Sequence, residues 1–416
     1  MNSTLEMLTK RGFFSQCTNI QELSGAMDSG AITFYVGCDP TGTSLHIGHM
    51  VPFFAFRHLV EAGHNGIALI GGGTARIGDP SGKSEMRKML DYKQLDDNAC
   101  AIKNQLEKFL GGFDGKKVIC ANNKDWLADL NYIDFLREIG KHFSVNRMLS
   151  FEAYKRRMET GLSFIEFNYQ LLQSYDFLQL YKRYGCSLQI GGDDQWGNIV
   201  AGMELIRRVE GQEIFAAGIT FPLVTTSDGK KMGKTEKGAI FLAPELTSPY
   251  DFFQYWRNVQ DADIKRFLLL FTFLSIAECD DLTKEGSNPN AAKERLAYEV
   301  TVLIHGKEEA EKALAGAKAA FCGAAVADRS AMPSKTLPLK QFSAGYNIVD
   351  LFTDSMLCAT KSEARRLVEQ GGAFVSANGE LSAVCDIKEI ITEKFIKDGE
   401  LILRAGKKRY CRITPV

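Results

Sequence analysis

Short apolar runs alternate with longer amphipathic patterns over the first half of the chain. The runs cover residues 32–36, 67–70, 117–120 and 187–190, and their length is typical of buried strands. Helical patterns separate them, one from about residue 47 to 61, and residues 1–30 precede them with an amphipathic helical pattern. Strands that alternate with helices predict an α/β fold with a parallel, doubly wound sheet that binds ligands at the carboxyl ends of its strands.

The second half of the chain divides by composition. Residues 245–320 predict mostly helices, and the stretch from 321 to about 345 is rich in Ala, Ser and Pro, which is typical of a linker. Residues 346–416 return to a compact mixed pattern of helices and strands. The predicted domains are therefore 1–240 (α/β), 241–322 (helical) and 346–416 (small, α+β), with a linker at 323–345.

Composition narrows the classes of protein that the chain can represent. Hydrophobic residues make up 45% and charged residues 24% of 416 residues, as in ordinary globular proteins. The net charge of −1 excludes a uniformly basic surface but not a local basic patch that binds RNA. No run of about 18 apolar residues and no basic-then-apolar leader is present, and the ten cysteines include no Cys-x-x-Cys pair, so we expect a cytoplasmic protein without a zinc ribbon.

The first candidate motif is a histidine pair that follows the strand at residues 32–36. A loop rich in Gly, Pro, Thr and Ser leads into His-Ile-Gly-His at residues 46–49. A strand, a loop and a helix N-terminus in this order present backbone N–H groups to phosphate. His46 and His49 lack the spacing and the glutamate of a zinc protease, so we expect them to donate hydrogen bonds to phosphate and we predict no metal site there.

The second candidate motif is a glycine-containing lysine loop. Lys231-Met-Gly-Lys-Thr235 follows an apolar run at residues 221–224. A lysine-rich loop is most often only a solvated surface, but here it accompanies the histidine motif. Two other nucleotide motifs fail on spacing: residues 78–84 lack one position of a P-loop, and residues 71–76 lack the third glycine of a dinucleotide fingerprint.

A third feature is a polar face within an apolar helical pattern. Tyr169, Gln173 and Asp176 lie at positions i, i+4 and i+7, and therefore on one helix face. The apolar residues around them favour burial, and buried polar groups need partners. A ligand with several donors and acceptors would supply those partners, although a solvated polar face remains the alternative.

Together these segments resemble the class I aminoacyl-tRNA synthetases, and most closely their bacterial and organellar tyrosyl branch. His-Ile-Gly-His matches the first class I signature, and residues 231–235 match the second, Lys-Met-Ser-Lys-Ser, with Gly233 and Thr235 in place of the serines. The resemblance is densest at residues 34–90, 163–200 and 218–242. It implies a Rossmann-like catalytic domain, a helical anticodon-side domain and an S-four-type RNA-binding domain, and an enzyme that activates tyrosine with ATP and transfers it to the terminal adenosine of tRNA.

The resemblance also assigns roles residue by residue. It implies that the tyrosine substrate is bound by Tyr35, Asp79, Tyr169, Gln173, Asp176 and Gln195. It implies that ATP is bound by Gly37, Asp39, His46, Gly48, His49, Gly192, Asp194, Lys231 and Lys234. The residues implied to act on the phosphates during the reaction are Thr41, His46, His49, Lys83, Arg87, Lys231, Lys234 and Thr235, with Mg²⁺ accompanying ATP.

The C-terminal region supplies the implied contacts to tRNA(Tyr). Basic residues cluster there in two groups, Lys361, Arg365 and Arg366, and Arg404, Lys407, Lys408 and Arg409. Taken alone, such clusters are usually solvated faces. The family works as a homodimer, and Phe164 matches an apolar interface position. Two alternatives stay open at this point: another class I synthetase, such as the tryptophanyl one, and a non-catalytic RNA-binding relative.

Overall fold

The chain divides into two compact units. The computed structural model describes residues 1–81, 89–229, 232–235, 238–321, 333–377, 380–406 and 409–416. The first unit comprises Met1–Leu246 and Val259–Ala292, and the second comprises Thr247–Asn258 and Lys293–Val416. No helix in the described ranges is long and apolar enough to cross a membrane.

A six-stranded sheet forms the centre of the first unit. Its strands are β1 (Gln16–Cys17), β2 (Thr33–Cys38), β3 (Asn65–Ile70), β4 (Val118–Asn122), β5 (Cys186–Gly192) and β6 (Ala217–Phe221), in the order β1-β6-β5-β2-β3-β4. All neighbours pair in parallel except β1, which is antiparallel to β6. A two-stranded ribbon, β7 (Lys234–Thr235) and β8 (Gly238–Ala239), lies outside this sheet.

Helices connect these strands and cover the sheet. They are α1 (Ser3–Arg11), α2 (Ile20–Ser29), α3 (Val51–Glu61), α4 (Tyr92–Leu110), α5 (Lys124–Leu127), α6 (Tyr132–Glu138), α7 (Val145–Ser150), α8 (Glu152–Thr160), α9 (Phe164–Tyr184), α10 (Trp196–Glu210), α12 (Ile264–Phe271) and α13 (Ile276–Thr283). The sequence sets the bounds of α9 clearly. Ser163 and Glu166 form a capping box at its start, and Gly185, in a left-handed conformation, ends it.

The order of the strands creates a crevice at the carboxyl ends of the central strands. Strand β2 lies between β3 and β5, and the chain runs outward from it in both directions, which makes the β2–β5 junction a topological switch point. Short 3₁₀ turns follow the carboxyl ends of three strands here, at Thr74–Arg76 after β3, at Asp193–Gln195 after β5, and at Ile47–His49 beyond the loop after β2. The residues that follow these strands therefore converge on a common site.

The second unit combines helices with a separate sheet. Its helices are α11 (Pro249–Arg257), α14 (Pro289–His305, from Lys293 onward), α15 (Lys307–Phe321), α16 (Leu339–Ala344), α17 (Ile348–Asp354) and α18 (Lys361–Glu369). Five strands, β9 (Ser334–Leu337), β11 (Ala373–Ala377), β12 (Glu380–Val384), β14 (Leu401–Ala405) and β15 (Arg409–Pro415), form a sheet in the order β12-β11-β14-β15-β9, and β10 (Tyr346–Asn347) pairs with β13 (Ile390–Ile391). Apolar residues of α16–α18 and the sheet share one buried core.

The predicted α/β fold class is confirmed, and the four predicted strands correspond to β2–β5. Three other predictions need correction. The first 30 residues are not one helical stretch, because Gly12 at φ 93° ends α1 and β1 follows. The sequence also missed β6, which completes the parallel sheet. Residues 333–345 are not a linker, because β9 pairs in parallel with β15 and α16 follows it.

The domain boundaries differ from the compact units. Helices dominate residues 241–322, as predicted, but this stretch divides between the two units. The division at residue 240 and the separation of 346–416 from the helical region stay predictions. Residues 322–332 of the predicted linker lie outside the described residues.

Candidate active site

A cavity of ≈ 460 Å³ opens at the carboxyl ends of β2 and β5. Its walls include every residue assigned to tyrosine or ATP whose side chain the structure describes. These are Tyr35, Gly37, Asp39, Thr41, His46, Gly48, His49, Asp79, Tyr169, Gln173, Asp176, Gly192, Asp194 and Gln195. Residues that are up to 160 positions apart in the sequence therefore line one space, and the topological switch point accounts for its place in the sheet.

The carboxylate of Asp176 is a buried polar group of this cavity and is 1% exposed. Trp126 donates from Nε1 to Asp176 Oδ1 at 2.7 Å, and Asn123 donates from Nδ2 to Oδ2 at 2.8 Å. Burial raises the pKa of Asp176 to about 8, against the two hydrogen bonds, which lower it. The carboxylate is thus held in one orientation, at a cost in desolvation that a ligand donor would offset.

Tyr35 lies beside this carboxylate with an unused hydroxyl. The side chain is 1% exposed, and its Oη has no hydrogen-bond partner among the described residues. Tyr35 on β2 pairs with Gln189 on β5, whose Oε1 is also buried without a partner in the described part of the chain. Buried polar atoms are almost always satisfied, so two adjacent exceptions on a cavity wall indicate a polar ligand.

A chain of hydrogen bonds extends from Asp176 along the cavity. Asn123 also donates to Thr74 Oγ1 at 2.9 Å, and Thr74 donates in turn to Asp39 Oδ1 at 2.7 Å. Tyr169 donates from its hydroxyl to Asp39 Oδ2 at 2.9 Å. Burial, followed by the charge of Asp39, raises the pKa of Tyr169 well above its usual value, so the hydroxyl stays a donor.

Sequence reasoning missed Thr74, Asn123 and Trp126, which hold the assigned carboxylates in place. A usable signal was present for Asn123, because it lies three positions after the strand predicted at 117–120, and ligand-binding groups collect at the carboxyl ends of parallel strands. No local pattern points to Thr74 or Trp126, since their importance arises only from contacts with residues that are distant in the sequence.

A second polar cluster surrounds Asp79. Gln195 donates from Nε2 to Asp79 Oδ2 at 2.8 Å, and the backbone N–H of Ser81 donates to Oδ1 at 2.9 Å. Asn198 donates from Nδ2 to Gln173 Oε1 at 2.9 Å and to Gln195 Oε1 at 3.2 Å. This cluster combines one carboxylate with two amide oxygens, which suits an ammonium group.

The first histidine motif forms the outer part of the cavity. The rings of His46 and His49 stack with centroids 3.6 Å apart, and the N–H of Gly48 donates to His46 Nδ1 at 3.1 Å. A Cβ at Gly48 would lie 2.9 Å from the carbonyl oxygen of Met232, so only glycine fits there. Both histidines line the cavity. The backbone N–H groups of residues 45–50 all donate to acceptors within the protein, so contact of this motif with phosphate remains a prediction for its side chains.

The second motif packs directly against the first. Met232 is buried, and its N–H donates to Val224 O at 3.0 Å. The N–H of Ile47 donates to Ile240 O at 3.0 Å, and Ile240 N–H donates to Gly233 O at 2.8 Å. Backbone hydrogen bonds therefore connect Gly233 to Ile240, and Ile240 to the His-Ile-Gly-His segment.

Comparisons with known proteins agree with this geometry. A family model described as "tRNA synthetases class I (W and Y)" matches residues 27–322. The tyrosine--tRNA ligase of Treponema denticola is 64% identical over 414 residues, 99% of each chain. The tyrosine--tRNA ligase of Treponema pallidum is 60% identical over 100% of this chain and 99% of the relative. This chain belongs to the class I tyrosyl-tRNA synthetases.

A solved tyrosyl-tRNA synthetase supports the same conclusion for the fold. The C-terminally truncated mitochondrial enzyme of Aspergillus nidulans matches with a TM-score of 0.69 and 29% identity, over 77% of this chain and 95% of that one. Membership in the tyrosyl-tRNA synthetases makes the chain an aminoacyl-tRNA synthetase with ATP as a substrate. The tryptophanyl and non-catalytic alternatives are not favoured, because the full-length relatives at 50–64% identity are named tyrosine--tRNA ligases.

Several residues assigned by the tyrosyl-tRNA synthetase resemblance cannot be placed in this site. Lys83, Arg87, Lys231, Lys407 and Lys408 lie outside the described residues. For Lys234 and Thr235 only the backbone is described, as strand β7. Their roles remain predictions.

The basic residues of the second unit fall into two groups. Lys361, Arg365 and Arg366 are exposed on α18, although Lys361 Nζ also forms an ion pair with Asp350 at 2.7 Å. Arg404 instead stacks over the ring of Phe374 at 3.6 Å from its centroid. Arg409 donates to Leu357 O at 2.6 Å and lies 3.3 Å from Glu363, so both arginines take part in holding this unit together.

Proposed function

We propose that the cavity binds tyrosine with its phenol against Tyr35 and Asp176 and ATP against the two signature motifs. The tyrosine carboxylate attacks the α-phosphorus of ATP, a new P–O bond forms, and the bond to pyrophosphate breaks. The tyrosyl group then passes from the adenylate to the terminal adenosine of tRNA(Tyr). The observation that supports this proposal best is the unpaired Tyr35 hydroxyl beside the fixed carboxylate of Asp176.

The phenol end accounts for the choice of amino acid. The substrate hydroxyl accepts from Tyr35, which satisfies this buried hydroxyl, and it forms a further hydrogen bond with Asp176. Phenylalanine leaves the Tyr35 hydroxyl unpaired and offers no hydrogen bond to Asp176, and burying an unsatisfied polar group is costly. Tryptophan has no phenol to offer this pair, so the same two residues argue against it.

The substrate ammonium lies against the polar cluster around Asp79. Asp79 supplies the charge, and Gln173 and Tyr169 supply further polar atoms on the same wall of the cavity. Fixing the ammonium and the phenol at two ends aligns the carboxylate with the α-phosphorus. Such alignment lowers the barrier because orientational entropy is lost on binding rather than during the reaction.

Charge stabilisation belongs to the other end of the cavity. His46, His49 and Thr41 lie where the phosphates of ATP would bind, and Gly37, Gly192 and Asp194 line the wall proposed for the ribose. A Cβ at Gly192 would lie 2.7 Å from Asp194 Oδ1, so a side chain there would displace the Asp194 carboxylate. Lys83, Arg87, Lys231 and Lys234, with Thr235, are proposed to collect on the departing pyrophosphate, where negative charge develops.

Magnesium is proposed to arrive with ATP. Among the described residues no group of three or more His, Cys, Asp and Glu side chains could hold a metal ion. Mg²⁺ does not need such a cage, because it is commonly held by substrate phosphates and one or two carboxylates. In this site it would partly neutralise the phosphates, while His46 and His49 donate hydrogen bonds to them.

A pair of assays on one purified sample tests the proposed activity. The protein should exchange labelled pyrophosphate into ATP only when tyrosine is present, and it should esterify tRNA(Tyr) with tyrosine when tRNA is added. Exchange that does not depend on tyrosine, or none at all, would contradict the assignment of the cavity. We also propose that the protein is cytoplasmic. Tyrosine-dependent exchange should then be found in the cytoplasmic fraction of lysed cells.

Contact with tRNA is proposed for the exposed face of α18. Arg365 and Arg366 are exposed there, whereas Arg404 and Arg409 have partners within their own unit. Replacing both exposed arginines by glutamate should leave exchange unchanged and weaken charging, and the remaining charging should fall with added salt. The matched control replaces Lys388 and Lys394, which are exposed on other segments of the same unit, and equal loss in the control would reject α18 as the contact.

A homodimer is proposed through the apolar surface around Phe164. This side chain is 71% exposed at the start of α9, and nearby elements carry Ile133, Val145 and Met158 at 69%, 55% and 55% exposure. Large apolar side chains that remain exposed on neighbouring elements are typical of interaction surfaces. Phe164→Asp should convert a dimer into a monomer in analytical ultracentrifugation, whereas Leu339→Asp, a substitution of another exposed apolar residue, should not.

A further inference from the structure

The segment that precedes the second-motif lysines is held by the first turn of α12. Val224 O accepts a hydrogen bond from Met232 N–H at 3.0 Å, which closes a loop between these residues. Within this loop the N–H and the hydroxyl of Ser227 both donate to Asp263 Oδ2, at 2.9 and 3.0 Å. Arg266 donates to Thr225 O and forms an ion pair with Asp263 Oδ1 at 2.8 Å.

The carboxylate of Asp263 contacts this loop and Arg266 rather than the first N–H groups of its own helix. Asp263 stands at the N-cap position of α12, where an aspartate normally accepts from the first N–H groups of the helix. Its side chain makes no such capping bond, and it is only 2% exposed. The buried carboxylate therefore makes no capping bond. Its Oδ2 accepts from the distant loop, and its Oδ1 pairs with Arg266, which donates to the same loop.

Helix α12 is itself a rigid support. Ile264, Phe267 and Phe271 are buried, and Arg11 of α1 donates to Leu269 O at 3.0 Å and to Thr272 O at 3.2 Å at the other end of the helix. Thr225, which accepts the hydrogen bond from Arg266, lines the cavity. The contact therefore connects the packed interior of the first unit to the wall of the active site.

We propose that Asp263 is a positioning residue for adenylate formation, acting with Arg266 through Ser227 and Thr225. Asp263 fixes the start of the second-motif loop at Thr225 and Ser227. The position of this start determines where the lysines that follow can reach the pyrophosphate. This inference rests on the proposed function. Those lysines act on charge that develops in the transition state. Displacing the start of the loop should therefore lower the rate of adenylate formation and leave tyrosine binding unchanged.

The test uses the full-length protein in stopped-flow measurements of adenylate formation. Asp263→Asn should lower the rate by ~10–10²-fold, the scale expected when a catalytic group is misplaced by about 1 Å, and the Kd for tyrosine should stay within about twofold of wild type. Ser227→Ala, at an exposed position, should produce a smaller fall in the same direction, and Ser227→Thr should restore the rate because it keeps the hydroxyl. In a protein that already carries Lys231→Ala, Asp263→Asn should lower the rate of adenylate formation little further, because Asp263 acts through the position of the lysines.

Controls separate positioning from general destabilisation. Ser275→Ala removes the capping box of α13, a neighbouring helix, without touching the loop, and should lower the melting temperature but not the rate. Unchanged rates in both Asp263→Asn and Ser227→Ala would overturn the inference, and so would equal losses in rate and in tyrosine affinity. Absence of tyrosine-dependent exchange in the wild type would instead contradict the proposed function. If Asp263→Asn does not fold, the Ser227 pair still decides the question.

Discussion

The two ends of the cavity are built in different ways. At the phenol end Tyr35 and Asp176 are each 1% exposed, and Asp176 accepts hydrogen bonds from Trp126 and Asn123. At the phosphate end Thr41 and His49 are exposed, and the two motifs are joined mainly by backbone hydrogen bonds. One end is a fixed side-chain network, and the other is a pair of glycine-containing loops.

This difference suggests that the phenol end selects the amino acid and that the phosphate end accelerates the reaction. A buried network gains its discrimination from the cost of leaving polar groups unpaired, so it must be rigid before the substrate arrives. The phosphate end acts on charge that appears only during the reaction, so its groups can approach late. Substitutions at the phenol end should therefore change which amino acid reacts, and substitutions at the phosphate end should change how fast it reacts.

The largest expected effect is at the phosphate end. Lys231→Ala or Lys234→Ala should lower the rate of adenylate formation by ~10²–10³-fold, as the loss of one electrostatic donor does elsewhere. The Kd for tyrosine should remain near the wild-type value, because the lysines act on pyrophosphate. Stopped-flow fluorescence gives both quantities, and unchanged rates would remove these lysines from the mechanism.

A smaller effect, in a different quantity, is expected at the phenol end. Tyr35→Phe removes one hydrogen bond to the substrate phenol, worth about 1 kcal/mol. The ratio of kcat/KM for tyrosine to that for phenylalanine should fall by ~5-fold. Exchange kinetics with both amino acids measure this ratio, and an unaltered ratio would show that Tyr35 does not contact the phenol.

Two glycines of the second-motif loop distinguish backbone strain from close packing. Gly233 and Gly229 have φ of 77° and 80°, which disfavours any other residue. A Cβ at Gly233 would lie 2.7 Å from Ile47 Cγ2, whereas a Cβ at Gly229 would meet nothing within 4 Å. Gly233→Ala should therefore slow adenylate formation several-fold more than Gly229→Ala, and equal effects would mean that the contact with Ile47 is unimportant.

The smallest effect concerns pH. Burial raises the pKa of Asp176 to about 8 from an ordinary value of 3.8, so the folded state keeps a proton that the unfolded chain releases. The contribution of this group to stability is present at pH values below the unfolded pKa and is lost as the pH rises towards about 8. The melting temperature of Asp176→Asn relative to wild type should therefore increase by a few degrees between pH 5 and pH 8, and a constant difference would contradict the raised pKa.

Much of the fold could be predicted because the decisive signals are local. Strands β2–β5 appear as short apolar runs, and the polar face of α9 appears as Tyr169, Gln173 and Asp176 at helical spacing. Strand β6 was missed because its Ala and Gly residues make a weak apolar run, and the sheet on both sides stabilises it. The composition of β9 resembles a linker, and only its pairing with β15 makes it a strand.

The same limit explains which site residues could be predicted. Motif residues such as His46 and Lys231 belong to short signatures, so a single sequence suffices to select them. Asn123 and Trp126 matter because they bond Asp176 from about 50 positions away, and Asp263 matters because it bonds Ser227, 36 positions earlier. No periodicity or propensity encodes such pairings, since they depend on how the elements pack.

The most direct test is the specificity of pyrophosphate exchange in the wild-type enzyme with tyrosine, phenylalanine and tryptophan. A pocket that bonds a substrate hydroxyl rejects the analogue lacking it by ~10⁴–10⁵-fold, a range already known for tyrosyl enzymes, so kcat/KM for phenylalanine should fall below that for tyrosine by this factor. Tryptophan should support no measurable exchange. Comparable exchange with phenylalanine or tryptophan would contradict the assignment of Tyr35 and Asp176 as the groups that select the substrate.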